Sequence, residues 1–236
     1  MRTNRILRLV LVALFVTLGL LTQDSGRVAR AERVSAAADQ PRMVGVSPLG
    51  TIDRRQVFQV LVNQRTGEAK AFGYFMYIHG LDDNDLYLDD SRKHESKAFV
   101  TLFIQGRITR MHRNGRLLVF QLQSKSVISF NPTPDGNFSD PESFKHGFPI
   151  ATGDENGSFT YDPETGDGTG DVRLRQTSIG DGPFEFKGEL IQFGEVGNHD
   201  VSWRGKALRY NPFGWTRLFC TATTVQAAPA PPSDGQ

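Results

Sequence analysis

Residues 97–130, KAFVTLFIQGRITRMHRNGRLLVFQLQSKSVISF, limit the folds open to this chain more than any other stretch. Two apolar, β-prone runs flank Asn114-Gly115, a dipeptide that favours a two-residue type I′ hairpin turn because both central residues take positive φ. A turn centred there pairs Arg113 with Arg116 and Met111 with Leu118. Thr109, Met111, Leu118, Phe120 and Leu122 then share one face, and Arg110, His112, Gln121 and Gln123 share the other. Arg107 falls on the apolar face, opposite Leu122, as a charged group directed at an interior.

The rest of the chain repeats this grammar. Strand-like runs cover 57–63, 69–78, 98–105, 126–130, 158–161, 172–178, 184–193, 201–210 and 213–225, separated by Gly, Asp, Asn and Pro. Helix-like windows are confined to the leader and to 141–145. Both alternating faces of 72–78, FGYFMYI, are apolar, as in a strand covered on two sides or one that meets a partner. The expected fold is all-β: a single antiparallel up-and-down β-barrel of about eight strands, with a β-sandwich as the alternative. Gly73, Gly106, Gly188 and Gly205 within strand-like runs favour the barrel, since bends help a sheet to close. So does the face Val201, Trp203, Gly205, Ala207, which sets a large ring beside small residues. The segment 131–149 is long for a structureless connection and is expected to serve a function or cover an open end.

The N-terminus reads as an export signal. Arg2, Arg5 and Arg8 precede an apolar run over 9–21, and Ala29-Arg30-Ala31 offers a cleavage site. The expected organisation is a signal peptide at 1–31, an extended lead-in at 32–54, a barrel domain at 55–225 and a disordered Pro/Ala tail at 226–236. The expected location is secreted, extracellular or periplasmic, with no membrane association after cleavage. A formal net charge of +1 without a concentrated basic patch excludes a nucleic-acid footprint. Cys220 is the sole cysteine, so no internal disulfide supports the fold, and its apolar setting is that of a buried small hydrophobe.

Chemistry-bearing motifs are few. There is no G-x-S-x-G nucleophile turn and no phosphate-cradling glycine loop. The five histidines are scattered without metal-ligand spacing. The acidic runs 82–90 and 162–171 have the oxygen-rich composition that calcium takes, but neither meets a calcium-loop spacing, and solvated turns explain both. No cofactor and no metal is expected, and no catalytic residue can be named. The remaining candidate is the barrel interior. Phe75, Tyr77, Arg107, Phe120, Phe186 and Trp203 are the candidate ligand-binding residues, with His79 and Gln192 as further polar anchors near the mouth. Small-molecule pockets are mostly apolar with a few placed polar groups. A fully packed core is the competing expectation.

The stretch 139–151, SDPESFKHGFPIA, resembles a segment of small secreted bacterial β-proteins that have no characterised function. A broader similarity is to calycin-like barrels of the allene oxide cyclase and dirigent type. The first likeness implies export and a β-barrel. The second implies an interior that binds or steers small hydrophobic molecules, and it carries over no catalytic residue. The sequence therefore leaves three functions open: an exported barrel that binds a small apolar molecule, an isomerase or cyclase using the same cavity, and a non-catalytic surface or matrix protein.

Overall fold

The two runs around Asn114-Gly115 form the longest hairpin of the protein, β4 (Val100–Asn114) with β5 (Leu117–Phe130). A computed structural model describes residues 40–89 and 93–228. The expected signal peptide, residues 32–39 of the lead-in and residues 229–236 of the tail lie outside them. The other strands are β1 (Arg42–Val44), β2 (Ile52–Asn63), β3 (Glu68–Ile78), β6 (Phe148–Tyr161), β7 (Asp167–Ser178), β8 (Phe184–Phe186), β9 (Glu189–Phe193), β10 (Gly197–Arg209) and β11 (Trp215–Gln226). Eight of them close into an antiparallel barrel in the order β10-β11-β2-β3-β4-β5-β6-β7. This is the all-β, up-and-down barrel expected from the sequence. Among the described residues two 3₁₀ turns interrupt the β structure, Glu95–Lys97 and Pro141–Lys145. Among the described residues no helix is long and apolar enough to cross a membrane.

The central hairpin departs from its expected register in two ways. Asn114 pairs with Leu117, so the turn residues are Gly115 and Arg116. Gly115 alone has positive φ (61°), which makes this a type II′ turn with glycine in its first central position. Moving the turn by one residue preserves the alternation of faces. A bulge then reverses it: Ile108 pairs with Leu122 and Arg110 with Gln121, leaving Thr109 as an extra residue. Beyond the bulge Arg107 pairs with Gln123 and lies exposed on the outer wall. The type I′ geometry occurs elsewhere. The run 184–193 is not one strand but a hairpin, β8–β9, turned through Lys187 (φ 49°) and Gly188 (φ 84°). Gly188 is therefore a turn residue and not a mid-strand bend.

The strands also run further than the sequence indicated. β5 runs unbroken through the second arm of the hairpin and the 126–130 strand, which the sequence separates, and β6 starts at Phe148 rather than at residue 158. β2 begins inside the supposed lead-in, at Ile52, and β1 within it pairs in parallel with β9. The four tight turns after β2, β4, β6 and β10 gather at one end of the barrel. The long connections gather at the other, where β1, β9 and β8 form a three-stranded cap. Val44, Phe184, Phe186, Ile191 and Phe193 of the cap pack on Phe75, Ile78 and Phe130 of the barrel.

The connection 131–147 does not close that end. It runs down the outside as a strap. Phe138 and Phe144 pack on Phe72 and Phe103, which point outward from β3 and β4. Ring centroids lie 5.5 Å apart for Phe72–Phe144 and 5.2 Å for Phe138–Phe144. Pro141 starts the short 3₁₀ turn, Asp140 caps it by accepting from the Glu142 amide, and the turn buries Phe144. This accounts for the two apolar faces of β3: Ala69, Ala71 and Phe75 face the interior while Phe72 and Tyr74 face the strap. Each fully buried phenylalanine here contributes about 1.5–3 kcal/mol.

Candidate functional site

Inward-facing positions on each strand decide what the barrel can hold. Toward the tight-turn end the interior is filled. Phe120 stacks on Phe159 with centroids 4.5 Å apart and planes 12° apart. Trp203 leans on Phe159 at 5.7 Å and meets Phe58 edge-on at 6.3 Å. Gly170 makes room for the indole, since a Cβ there would stand 2.7 Å from Trp203 Nε1. Beside and above this floor the packing opens into an interior cavity, lined from Val62 and Ala69 near the tight turns to Arg54 and Thr224 under the cap, that offers about 70 Å³ to the centre of a water-sized molecule. Phe58, Phe75, Leu102, Ile104, Ile128, Leu174, Val201 and Trp203 form its apolar wall.

Besides the half-buried Lys70, buried polar side chains enter this wall at two places. On one side Glu155, from β6, is buried beside Ser124 and Ser126 of β5. Ser124 Oγ donates to Glu155 Oε2 at 2.9 Å. Burial raises the Glu155 carboxyl above its ordinary range, against the hydrogen bonds from Ser124 and Ser126 that favour its ionised form. Glycines at 153 and 157 occupy the inward positions on either side of it.

The second place lies under the cap. Arg54 of β2 is 1% exposed and lines the cavity. Its Nη2 donates to Gln176 Oε1 at 3.1 Å and faces His199 Nε2 at 3.4 Å. An arginine can only donate, so Nε2 accepts and Nδ1 carries the imidazole proton. That Nδ1 lies 3.0 Å from Asp53 Oδ2. Asp53 Oδ1 in turn accepts from the Ser47 amide at 2.9 Å and the Ser47 hydroxyl at 2.5 Å. Burial pulls the Asp53 carboxyl up, but the bonds from His199 and Ser47 and the charge of Arg54 outweigh it and hold it below the usual carboxylate range. Burial pulls Arg54 down to about 10, opposed by the charge of Asp53. The cap roofs this cluster: Phe193 lies under the guanidinium at 5.1 Å, and the backbone at Gly194 abuts the Gln176 amide.

The chain is short of hydrogen-bond partners here. Among the described residues, Arg54 Nε, Gln56 Oε1 and Gln176 Nε2 are buried with none. Gln56, two residues along β2 from Arg54, also lines the cavity. Native interiors rarely leave such groups unmet, because each costs about 1–3 kcal/mol.

The six residues singled out from the sequence fall in different places. Phe75 and Trp203 line the cavity. Phe120 lies in the packed floor beneath it, and Phe186 belongs to the cap, against Phe99 and Phe130. Tyr77 does not reach the interior. Arg55 pairs with Tyr77 and Gln56 with Phe75, so Met76 is an extra residue and Tyr77 shares the outward side of Arg55. Its hydroxyl lies 3.3 Å from His79 Nδ1, and neither residue lines the cavity. Arg107 is on the outer wall for the same kind of reason, and an anchoring role inside the barrel is ruled out for it. Gln192 is in the cap, donating to the Ile179 carbonyl at 3.3 Å.

The acidic runs disperse onto basic partners. Asp83, Asp85 and Asp89 pair with Lys93, Lys187 and Lys97, and Asp162 and Glu164 both pair with Arg116. Among the described residues no three His, Cys, Asp or Glu side chains converge. Cys220 is buried and inward-facing, its thiol pushed up to about 12 by burial.

No protein-family model, curated protein or solved structure matches this chain.

Proposed function

We propose that the protein is an exported barrel that binds a small, largely apolar molecule in its interior. The observation that carries this reading is the cavity itself: apolar walls around a few buried polar atoms that the chain leaves without partners. That combination is how small-molecule sites are built. Export rests on the leader sequence, and the calycin-like resemblance points the same way.

Size limits the occupant. About 10–15 Å³ of such space is needed per water, so the cavity takes roughly five to seven heavy atoms. Pentan-1-ol is therefore a suitable neutral probe. Saturable shifts of the methyl resonances of Leu102, Ile104, Ile128 and Val201 on titration with pentan-1-ol support binding. Val201→Phe, which fills the space, is expected to abolish them. A titration with no saturable shift at these methyls sinks the reading.

A second reading, an isomerase or cyclase working in the same cavity, is favoured by one observation. Glu155 is a buried carboxyl held toward neutrality on the cavity wall, the state in which a carboxylic acid can donate a proton. In that reading Glu155 exchanges a proton with the bound molecule while the wall confines it.

A further inference from the structure

We infer that the molecule held in the barrel carries an anionic head, a carboxylate on a short apolar body, and that Arg54 is the residue that binds it. This rests on the proposed reading of the cavity as a ligand site and names the chemistry of the ligand.

The argument begins with an imbalance. A buried cation is normally paired, because removing it from water without a counter-charge is costly. Arg54 is buried, yet among the described residues it forms no ion pair with a carboxylate. Asp53, its neighbour in the chain, spends its oxygens on Ser47 and His199. Glu155, the other carboxyl on the wall, is bonded to Ser124 and held toward its neutral form. Both resident acids are thus occupied elsewhere.

The guanidinium is also held as a receptor would be. Gln176 and His199 fix Nη2 from behind, and Phe193 packs on its face. Its Nε remains unpartnered. Gln56 follows on the same inward face of β2 with an unpartnered amide oxygen. Half a turn of that amide presents its NH₂ toward the same space. A carboxylate at this point takes one hydrogen bond from Arg54 and a second from Gln56. Its apolar body then runs down toward Val201 and Trp203. A cation is repelled by Arg54, and a neutral head leaves the guanidinium with only the charge of Asp53, whose oxygens bond elsewhere, to offset it. The cavity's capacity, roughly five to seven heavy atoms by the space each water needs, sets the length. It admits a carboxylate with a four- or five-carbon chain and excludes long-chain fatty acids.

The test compares pentanoate with pentan-1-ol on the wild-type protein at neutral pH, by isothermal titration and by the same methyl resonances. Pentanoate is expected to bind at least tenfold more tightly, as charge-assisted hydrogen bonds require. Arg54→Met is expected to lower pentanoate affinity at least tenfold and to abolish the preference for pentanoate over pentan-1-ol. Arg54→Lys, which keeps the charge, retains part of the preference and covers the case in which the methionine variant fails to fold. Equal affinity for the two probes, or a preference for the alcohol, overturns the anionic head while leaving an apolar ligand site standing. It would mean that water completes these hydrogen bonds. Binding of neither probe overturns both readings together.

Discussion

Phe144→Ala tests whether the strap holds the barrel's outer face. The Phe144 ring is fully buried and contacts the rings of Phe72 and Phe138. Truncating a buried phenylalanine to alanine costs about 3–5 kcal/mol through lost transfer energy and the cavity left behind. Each of the two ring pairs lost is worth about 0.5–1.5 kcal/mol beyond its buried area, which pushes the expected cost toward the upper part of that range. The strap keeps other attachments: Phe138 still packs on Phe72 and Tyr74, and Thr101 Oγ1 donates to the backbone carbonyl of residue 144 at 3.0 Å and needs no side chain there. Urea unfolding followed by circular dichroism gives the stability change. Hydrogen exchange at the Ser143 and His146 amides, which bond within the 3₁₀ turn, reports the strap itself. Stability and the protection of these two amides are both expected to fall. The strap lies outside the wall, so pentan-1-ol binding should be unchanged in whatever fraction stays folded. A stability loss below about 0.5 kcal/mol, the usual range for a surface substitution, with unaltered exchange, refutes the clamp. Loss of interior binding in a folded variant refutes the assignment of outer and inner faces.

Two further expectations concern the interior. Burial raises the Glu155 carboxyl in the folded protein above its ordinary value of about 4.5. Stability from this group is present below that value and lost as pH rises from it through the raised folded value. Glu155→Gln removes that loss, so its stability should gain on wild type as pH climbs through this window; parallel pH profiles for the two proteins count against a buried neutral carboxyl. Gly170→Ala places a Cβ 2.7 Å from Trp203 Nε1 and 2.8 Å from Phe159 Cβ. Overpacking of this kind costs about 1–3 kcal/mol, and in a Trp215→Phe background the emission of Trp203 should shift with it. Unchanged emission and an unchanged urea midpoint show that the indole does not pack there.

The fold was legible because alternation and turn residues survive in most strands. Val57 to Val62 and Leu118 to Leu122 display their faces openly, and glycines mark the bends. The inward phase was harder to read where a bulge intervened. Thr109 and Met76 are ordinary strand residues, and nothing local marks either as the extra one. Each nonetheless reverses the facing of the residues beyond it, which is why Arg107 and Tyr77 were read as interior. Arg54 was within reach. The pattern Gln56, Phe58, Val60, Val62 extends backward to position 54, but Arg54-Arg55 sits at a polar strand start that reads as lead-in. Glu155 was hidden by its neighbours, since Thr-Gly-Asp-Glu-Asn-Gly reads as a loop and becomes a strand only through pairing with β5 and β7. The link between Asp53 and His199 spans 146 residues. No local pattern encodes it; it exists only once the sheet has closed on itself.

That separation also bears on how the molecule is put together. Most wall contacts join strands that follow one another, and hairpins of this kind can form early because little chain entropy opposes them. The pairing of β2 with β11 is different: it joins Trp215 to Asn63 and Val225 to Ile52, from opposite ends of the described chain. Arg54 meets Gln176 and His199 across the same closure. The polar cluster under the cap therefore needs the β2–β11 seam: without it, Arg54 and Asp53 on β2 have no route to Gln176 on β7 and His199 on β10. A chain that presents Arg54 to the cavity in this way is one in which that seam has formed in the correct register.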